Sequence, residues 1–215
     1  MRRNEFTARP AVIVGNGPSL KLETLSRIRS IDCFGMNRLP LLYNKTGWRP
    51  TFYLMVSTSY TDKRYRADYQ RGIFESPHAI VWKAHRSGVI RNVKNIIWVD
   101  CYDNDIPEWD IYPLKRVCKY GTSAYPAIQI ADYLGFSPIY LLGMDGYIPG
   151  APPTEQHFDA NYSYETPTDP EGCNDGQIKA FLMAKQHCKA PIYDVTEGKG
   201  LGIFEKRSVE EILDD

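Results

Sequence analysis

Ala11-Val-Ile-Val-Gly-Asn-Gly-Pro-Ser-Leu20 is the stretch on which the reading of this chain turns. Four apolar residues, three of them β-branched, lead into a turn built from glycine, asparagine, proline and serine. A short continuous apolar run of this kind is how a strand buried on both faces of a parallel sheet is written. Glycine lets the backbone after it turn sharply or come close to a ligand. Pro18 suits the first turn of a following helix. Backbone amides near Gly17 to Leu20 are then expected to point into a crevice at the strand's end, as a phosphate or carboxylate site. The spacing Gly-x-Gly-Pro-Ser is neither the dinucleotide fingerprint nor a Walker loop. On spacing alone, a tight strand-to-helix turn without a ligand is an equal reading.

Working outward, Leu20, Leu22, Leu25 and Ile28 can form one face of a short helix, and Ile31 to Met36 reads as a second strand ending at Asn37 and Arg38. Leu39 to Tyr43 is a short helix or apolar loop. Thr51 to Val56 is a third strand, followed by the polar run Ser57 to Tyr60. Thr61 to Phe74 has helical composition with a dense basic and aromatic pattern, which reads more simply as a solvated face than as a phosphate patch. Ala79 to Trp82 and Ile96 to Val99 are two further short strands, separated by a basic stretch with a turn expected at Gly88. Asp100 to Lys119 is acidic and irregular, and reads as a long loop.

The next informative stretch runs from Gly121 to Gly135. Thr122 or Ser123 can cap a helix, Pro126 falls in its first turn, and Gly135 suits its end. Ala124, Ala127, Ile128, Ala131 and Leu134 recur at helical spacing, with side chains small enough for close packing on a sheet. Pro138 to Met144 is then a buried strand with Asp145, Gly146 and Tyr147 at its carboxyl end. Ile148 to Asp175 is rich in proline and lacks periodicity, and is expected to be a lid over the crevice, carrying His157. Asp175 is read as the cap of a helix with Ile178, Phe181 and Leu182 inward. Pro191 to Val195 is a last strand, Thr196 to Gly202 a glycine-rich turn, and Ser208 with Glu211 a capping box.

Strand and helix recur along the chain, so the expected fold is α/β and Rossmann-like: a mainly parallel sheet, helices on both faces, a loop-rich lid at 148–175, and one domain over 1–215. Lys plus Arg equals Asp plus Glu at 26 each, so no basic field argues for nucleic acid. The five cysteines are scattered, with no Cys-x-x-Cys pair. Neither a zinc knuckle nor a disulfide framework is indicated, and a reducing, cytoplasmic setting is the plain reading. No window approaches a membrane span, although a position peripheral to the inner membrane is compatible with the sequence. A homo-oligomer is equally compatible.

Three pieces in order carry a resemblance: Ile13 to Ser19 with Gly35-Met-Asn37, then Gly121-Thr-Ser123 through Gly135, then Ile139 to Asp145. Together they resemble the domain family named after archaeal 6-hydroxymethylpterin diphosphokinase. Its fold is related to bacterial sialyltransferases that use CMP-sialic acid and to the central domain of flagellin-modifying motility-associated factors. Gln177 to Val195 and the glycine turn after it fit as well. The resemblance to the sialyltransferases implies that Gly15, Asn16, Gly17 and Ser19 meet the nucleotide and Asn37 the sugar-nucleotide. It implies that Thr122 and Ser123 hold the donor's carboxylate, that Tyr147 meets the leaving phosphate, and that His157 is the general base. Leu54 stands where those enzymes carry an asparagine, Lys119 is only near the expected basic position, and the stretch after His157 is longer.

The implied activity is transfer of a CMP-activated acidic sugar to a hydroxyl of a surface glycan or protein, with no metal or cofactor required. Hydroxyls and amides would stabilise the leaving phosphate, and histidine suits the base. The alternative is a diphosphokinase using ATP and Mg²⁺, with Asp145 as a metal ligand beside Asp100, Asp103 or Asp105. A non-catalytic nucleotide- or glycan-binding module is a second alternative. Each residue also has a structural reading. His157 can be a loop residue, Asp145 a helix cap or ribose ligand, Tyr147 packing under the lid, Asn37 a turn, and Thr122 and Ser123 a cap. His78, His85 and His187 are read as structural.

Overall fold

A computed structural model describes residues 1–86, 93–163, 165 and 168–214; the turn expected at Gly88 lies outside them. Its strands are β1 (Ala11–Val14), β2 (Asp32–Met36), β3 (Phe52–Met55), β4 (His78–Trp82), β5 (Ile96–Tyr102), β6 (Arg116–Cys118), β7 (Ile139–Leu142), β8 (Ile192–Asp194) and β9 (Glu205–Lys206). They form one nine-stranded sheet in the order β6-β5-β4-β3-β2-β1-β7-β8-β9. Every pairing in it is parallel. From β1 the chain builds outward to β6, then returns to lay β7 on the other side of β1. The switch in direction therefore falls between β1 and β7, where an open α/β sheet leaves a crevice at its carboxyl edge.

The helices are α1 (Leu22–Arg27), α2 (Tyr43–Thr46), α3 (Arg66–Glu75), α4 (Ala124–Leu134), α5 (Pro170–His187) and α6 (Val209–Asp214). Alternation along β1 explains how they distribute. Ala11 and Ile13 face one core with Phe34, Phe52 and the α4 residues Ala127, Ile128 and Ala131. Val12 and Val14 face the other, with Leu25, Ile28, Tyr140 and Ile212. Tyr53, Tyr69 and Ile73 close a third cluster under α3. The β1 run is uniformly apolar because both faces are covered. Helix α4 is buried from Ala124 through Ala131, so its alanines, as expected, let the backbone lie close to the strands.

Several boundaries move. Helix α1 starts at Leu22, which is exposed, while Leu20 is buried ahead of it. The helix expected from Thr61 starts at Arg66, after a short 3-10 turn over Thr58–Thr61. The segment taken as loop from Asp100 contains the end of β5 and all of β6. Its regularity comes from pairing with a neighbour, which an acidic, proline-bearing sequence does not display. Helix α5 begins at Pro170, with the Asp169 carboxylate accepting from the Gly172 amide at 2.8 Å, so Asp175 lies inside the helix and not at its cap. On that helix Phe181 is buried and Leu182 exposed. The capping box is present: the Ser208 amide donates to Glu211 at 2.8 Å, and the Glu211 amide to the Ser208 hydroxyl at 3.4 Å. Strand β9, two residues long, was not anticipated. Among the described residues no helix is long and apolar enough to cross a membrane.

Candidate active site

A cavity of about 290 Å³ opens at the carboxyl edge of the sheet, over the switch between β1 and β7. Gly15, Asn16, Gly17, Asn37, Thr122, Asp145, Tyr147 and His157 all line it. Ser19 and Ser123 sit one hydrogen bond behind. The Ser19 hydroxyl donates to Asp145 Oδ2 at 2.8 Å, and the Ser123 hydroxyl donates to Asn37 Oδ1 at 3.3 Å. Residues far apart in sequence meet because the ends of β1, β2 and β7 and the start of α4 share one edge of the sheet.

The glycine turn does not offer the amides that its sequence suggested. The Gly17 amide donates to the Gly143 carbonyl at 3.0 Å and the Leu20 amide to the Gly17 carbonyl at 3.2 Å. The Ser19 amide reaches Asp145 Oδ2 at 3.4 Å. Pro18 has no amide to give and sits ahead of α1, which begins at Leu22. A carboxylate from the neighbouring strand end thus fills the place intended for an anion. Gly17 has to be glycine for this reason: a Cβ there would lie 1.8 Å from Asp145 Oδ2. Burial raises the Asp145 carboxyl above its usual range, against the lowering effect of the Ser19 hydroxyl and amide.

Asn37 closes β2 in the left-handed region, at φ +53°, which non-glycine residues occupy rarely and at a cost. Its carbonyl accepts from the Tyr53 hydroxyl and its side chain from Ser123. Helix α4 therefore begins beside the strand tip without using the Ser123 hydroxyl as a cap; the Thr122 hydroxyl oxygen accepts from the Ala124 amide at 3.3 Å.

His157 lies in the segment that crosses the cavity. Its Nδ1 is 3.2 Å from the Asn16 carbonyl, and because a carbonyl only accepts, Nδ1 carries the proton and Nε2 the lone pair. The ring centroid is 3.9 Å from that of Tyr162 and 6.0 Å from that of Tyr147. Burial pushes its pKa down to about 4, with the nearby Arg38 guanidinium lowering it further and the Asn16 bond opposing. Tyr147 is fixed by one side chain of α5: its amide donates to Asn174 Oδ1 at 2.7 Å and its carbonyl accepts from Asn174 Nδ2 at 2.8 Å. Burial raises the Tyr147 phenol, which stays protonated and able to donate.

The low pKa of His157 predicts an acid-labile fold. Between its ordinary 6.5 and about 4 the unfolded chain binds a proton that the folded chain refuses, so stability rises with pH across that window and falls on acidification. The full effect is about 3 kcal/mol at 1.36 kcal/mol per pH unit. Urea midpoints at pH 7 and pH 4.5 should fall by less in His157→Gln than in the native chain; an equal fall in both would assign the lability elsewhere.

Sequence reading missed Arg38, Ser57, Ser59, Tyr65, Tyr69, Gln156, Tyr162 and Gln177, which also line the cavity. Arg38 was adjacent to a flagged residue, but a charge at a strand tip reads as solvated. Here it is 6% exposed and paired with Asp68 of α3 at 2.6 Å. Lys119 points elsewhere, pairing with Asp103. Asp100, Asp103 and Asp105 do not line the Asp145 cavity; Asp100 pairs with Lys83 at 2.5 Å. Leu54, the departure from the sialyltransferase pattern, is fully buried in the core, and its carbonyl accepts from the Asn37 amide at 3.4 Å. Burial lowers the pKa of His78 and of His85, and His85 Nε2 lies 2.9 Å from the Ser57 carbonyl. Among the described residues no cluster of three or more His, Cys, Asp or Glu side chains is placed to hold a metal.

The fold is similar to that of two glycosyltransferases of known structure. One is the MAf glycosyltransferase from Magnetospirillum magneticum AMB-1, with a TM-score of 0.57 and 16% identity over 97% of this chain. This chain spans only 34% of that protein. The other is the sialyltransferase CstII from Campylobacter jejuni, solved in complex with a substrate analogue, cytidine-5'-monophosphate, with a TM-score of 0.57 and 16% identity. There the match covers 94% of this chain and 86% of the other. At such identity the likeness is one of fold. No protein-family model and no curated protein matches the chain.

Proposed function

We propose that the chain is a nucleotide-dependent glycosyltransferase, moving a CMP-activated acidic sugar to a hydroxyl of a glycan or protein. The observation that carries this is the set of groups converging on one cavity. They are a protonated phenol at Tyr147, a hydroxyl at Thr122, a neutral His157 with Nε2 unprotonated, and the Asn16 side chain, whose amide oxygen is buried without a partner. A buried acceptor without a donor is rare and asks for a partner; turning the Asn16 side chain into the cavity would offer it to a nucleotide's hydroxyl or amino groups. The fold shared with two glycosyltransferases supports the same reading.

In this scheme the acceptor hydroxyl bonds to the anomeric carbon while the bond from that carbon to the phosphate oxygen breaks. The hydroxyl proton passes to His157 Nε2, and CMP departs as a phosphate monoester. The Tyr147 phenol donates to the oxygen on which charge develops. A base with a pKa of about 4 is weak, but the donor's anionic phosphodiester and sugar carboxylate, entering beside it, favour the protonated ring and raise that value. Donor binding would then arm the base.

The test is thermal shift and calorimetry with CMP, CMP-sugars, ATP and other nucleotides, each with and without Mg²⁺. Expected is stabilisation by CMP and its sugars, independent of Mg²⁺. Stabilisation by ATP with a dihydropterin, dependent on Mg²⁺ and with no response to CMP, overturns the proposal in favour of a diphosphokinase. CMP binding without turnover over a broad donor and acceptor screen leaves a binding module.

A further inference from the structure

Arg38 makes more contacts than a salt bridge needs. Its Nε and Nη2 converge on Asp68 Oδ2 at 2.8 and 2.6 Å. Its Nη1 donates to the Asn161 carbonyl at 2.7 Å and to the Tyr162 carbonyl. The guanidinium lies 4.3 Å from the Tyr65 ring centroid and 5.6 Å from that of Tyr162. One buried cation thus joins the tip of β2, helix α3 and the segment over the cavity.

We infer that Arg38, held by Asp68, is a positioning residue: it latches residues 156–162 over the cavity and so sets the orientation of His157. The connection is short. Tyr162, whose carbonyl Arg38 grips, lies tilted against the His157 ring, with centroids 3.9 Å apart. From the other side the Asn16 carbonyl takes the His157 ring nitrogen and the Phe158 amide, both at 3.2 Å. Lys45 adds an outer tie to Asp159 at 2.7 Å. Backbone carbonyls gripped by a side chain can be released without unfolding the sheet. A lysine cannot reproduce the latch, because one ammonium cannot span a carboxylate and two carbonyls in the plane of a fork. That the latch serves catalysis rests on the transferase reading; that it holds the segment does not.

The experiment compares the native chain with Arg38→Lys, which keeps the charge, and Asp68→Asn, which keeps the arginine. Hydrogen exchange of the peptide covering 156–162 is followed by mass spectrometry, and the His157 ring by NMR titration. Tyr147, Tyr162, Arg38 and the Asn16 carbonyl are the groups facing that ring. Expected is exchange at least tenfold faster in 156–162 with β1 unchanged, and a His157 titration that moves from about 4 toward 6.5 in Arg38→Lys despite the retained charge. If turnover is present, kcat falls at least tenfold with donor KM changed far less. Unchanged exchange and titration in both variants overturn the latch. So does loss of protection across the whole sheet in both, which would make the pair core support. Absence of turnover in the native chain removes the transferase reading and leaves the exchange result standing.

Discussion

His157→Ala is expected to lower turnover about 10²–10⁴-fold, the usual worth of a general base, while CMP still binds. In the proposed reaction the ring's Nε2 is the group offered to the acceptor, because Nδ1 is committed to the Asn16 carbonyl. His157 also anchors the covering segment, and alanine removes both roles together. His157→Gln separates them, because a glutamine amide can still donate to the Asn16 carbonyl but cannot take up a proton. Glutamine should therefore be as inactive as alanine. Recovery of turnover in glutamine above about a tenth of the native rate would make His157 an anchor, and another group the base. Steady-state kinetics beside CMP calorimetry on all three proteins decides it.

Gly121→Ala is expected to destabilise the fold by about 2–5 kcal/mol and to disturb the cavity as well. Gly121 stands at φ +66°, and a Cβ there would lie 2.5 Å from the carbonyl of Gly176 in α5. That neighbour is backbone, so it cannot rotate away. Overpacking costs about 1–3 kcal/mol, and the left-handed conformation adds roughly 1–2 kcal/mol for a residue with a Cβ. Relief requires α5 to shift, and α5 carries Asn174, which holds Tyr147, while Gly121 precedes Thr122. The mirror change is the control. A Cβ on Gly176 meets only the Gly121 Cα, at 3.5 Å, and an alanine within a helix is favoured by up to about 1 kcal/mol. Urea midpoints at constant m should therefore fall for Gly121→Ala and hold or rise for Gly176→Ala. Equal effects would mean that the contact is not what makes position 121 glycine.

Much of the fold was legible because its signals are local. The run Ala11 to Val14 has one period and one explanation, and the alanines of α4 announced a close-packed helix. The capping box at Ser208 and Glu211 is a bond between neighbours in sequence. β6 and β9 were not legible, since Arg116-Val-Cys118 and Glu205-Lys206 show no apolar run and become strands only by pairing with β5 and β8. The start of α5 was misplaced because Asp169 and Asp175 are both competent caps, and which one is used depends on where the helix docks.

At the site the chain supplied the inventory. Asn16, Asn37, Thr122 and Tyr147 stand out as polar residues at the ends of apolar segments, and a parallel sheet brings such ends to one edge; His157 stands in the proline-rich segment that follows. Occupancy was decided by the tertiary structure. Asp145 takes the hydroxyl and amide of Ser19, so the glycine turn is an intramolecular joint where its composition suggested an open anion cradle. Arg38 looks solvated in sequence and is buried in space, because its partners lie on α3 and on the covering segment. Periodicity is written into neighbouring residues, and it gave the layers of the sheet and the edge where a ligand would sit. Partner choice for a charge or an amide depends on groups thirty to more than a hundred residues away, and only the folded chain brings them within reach.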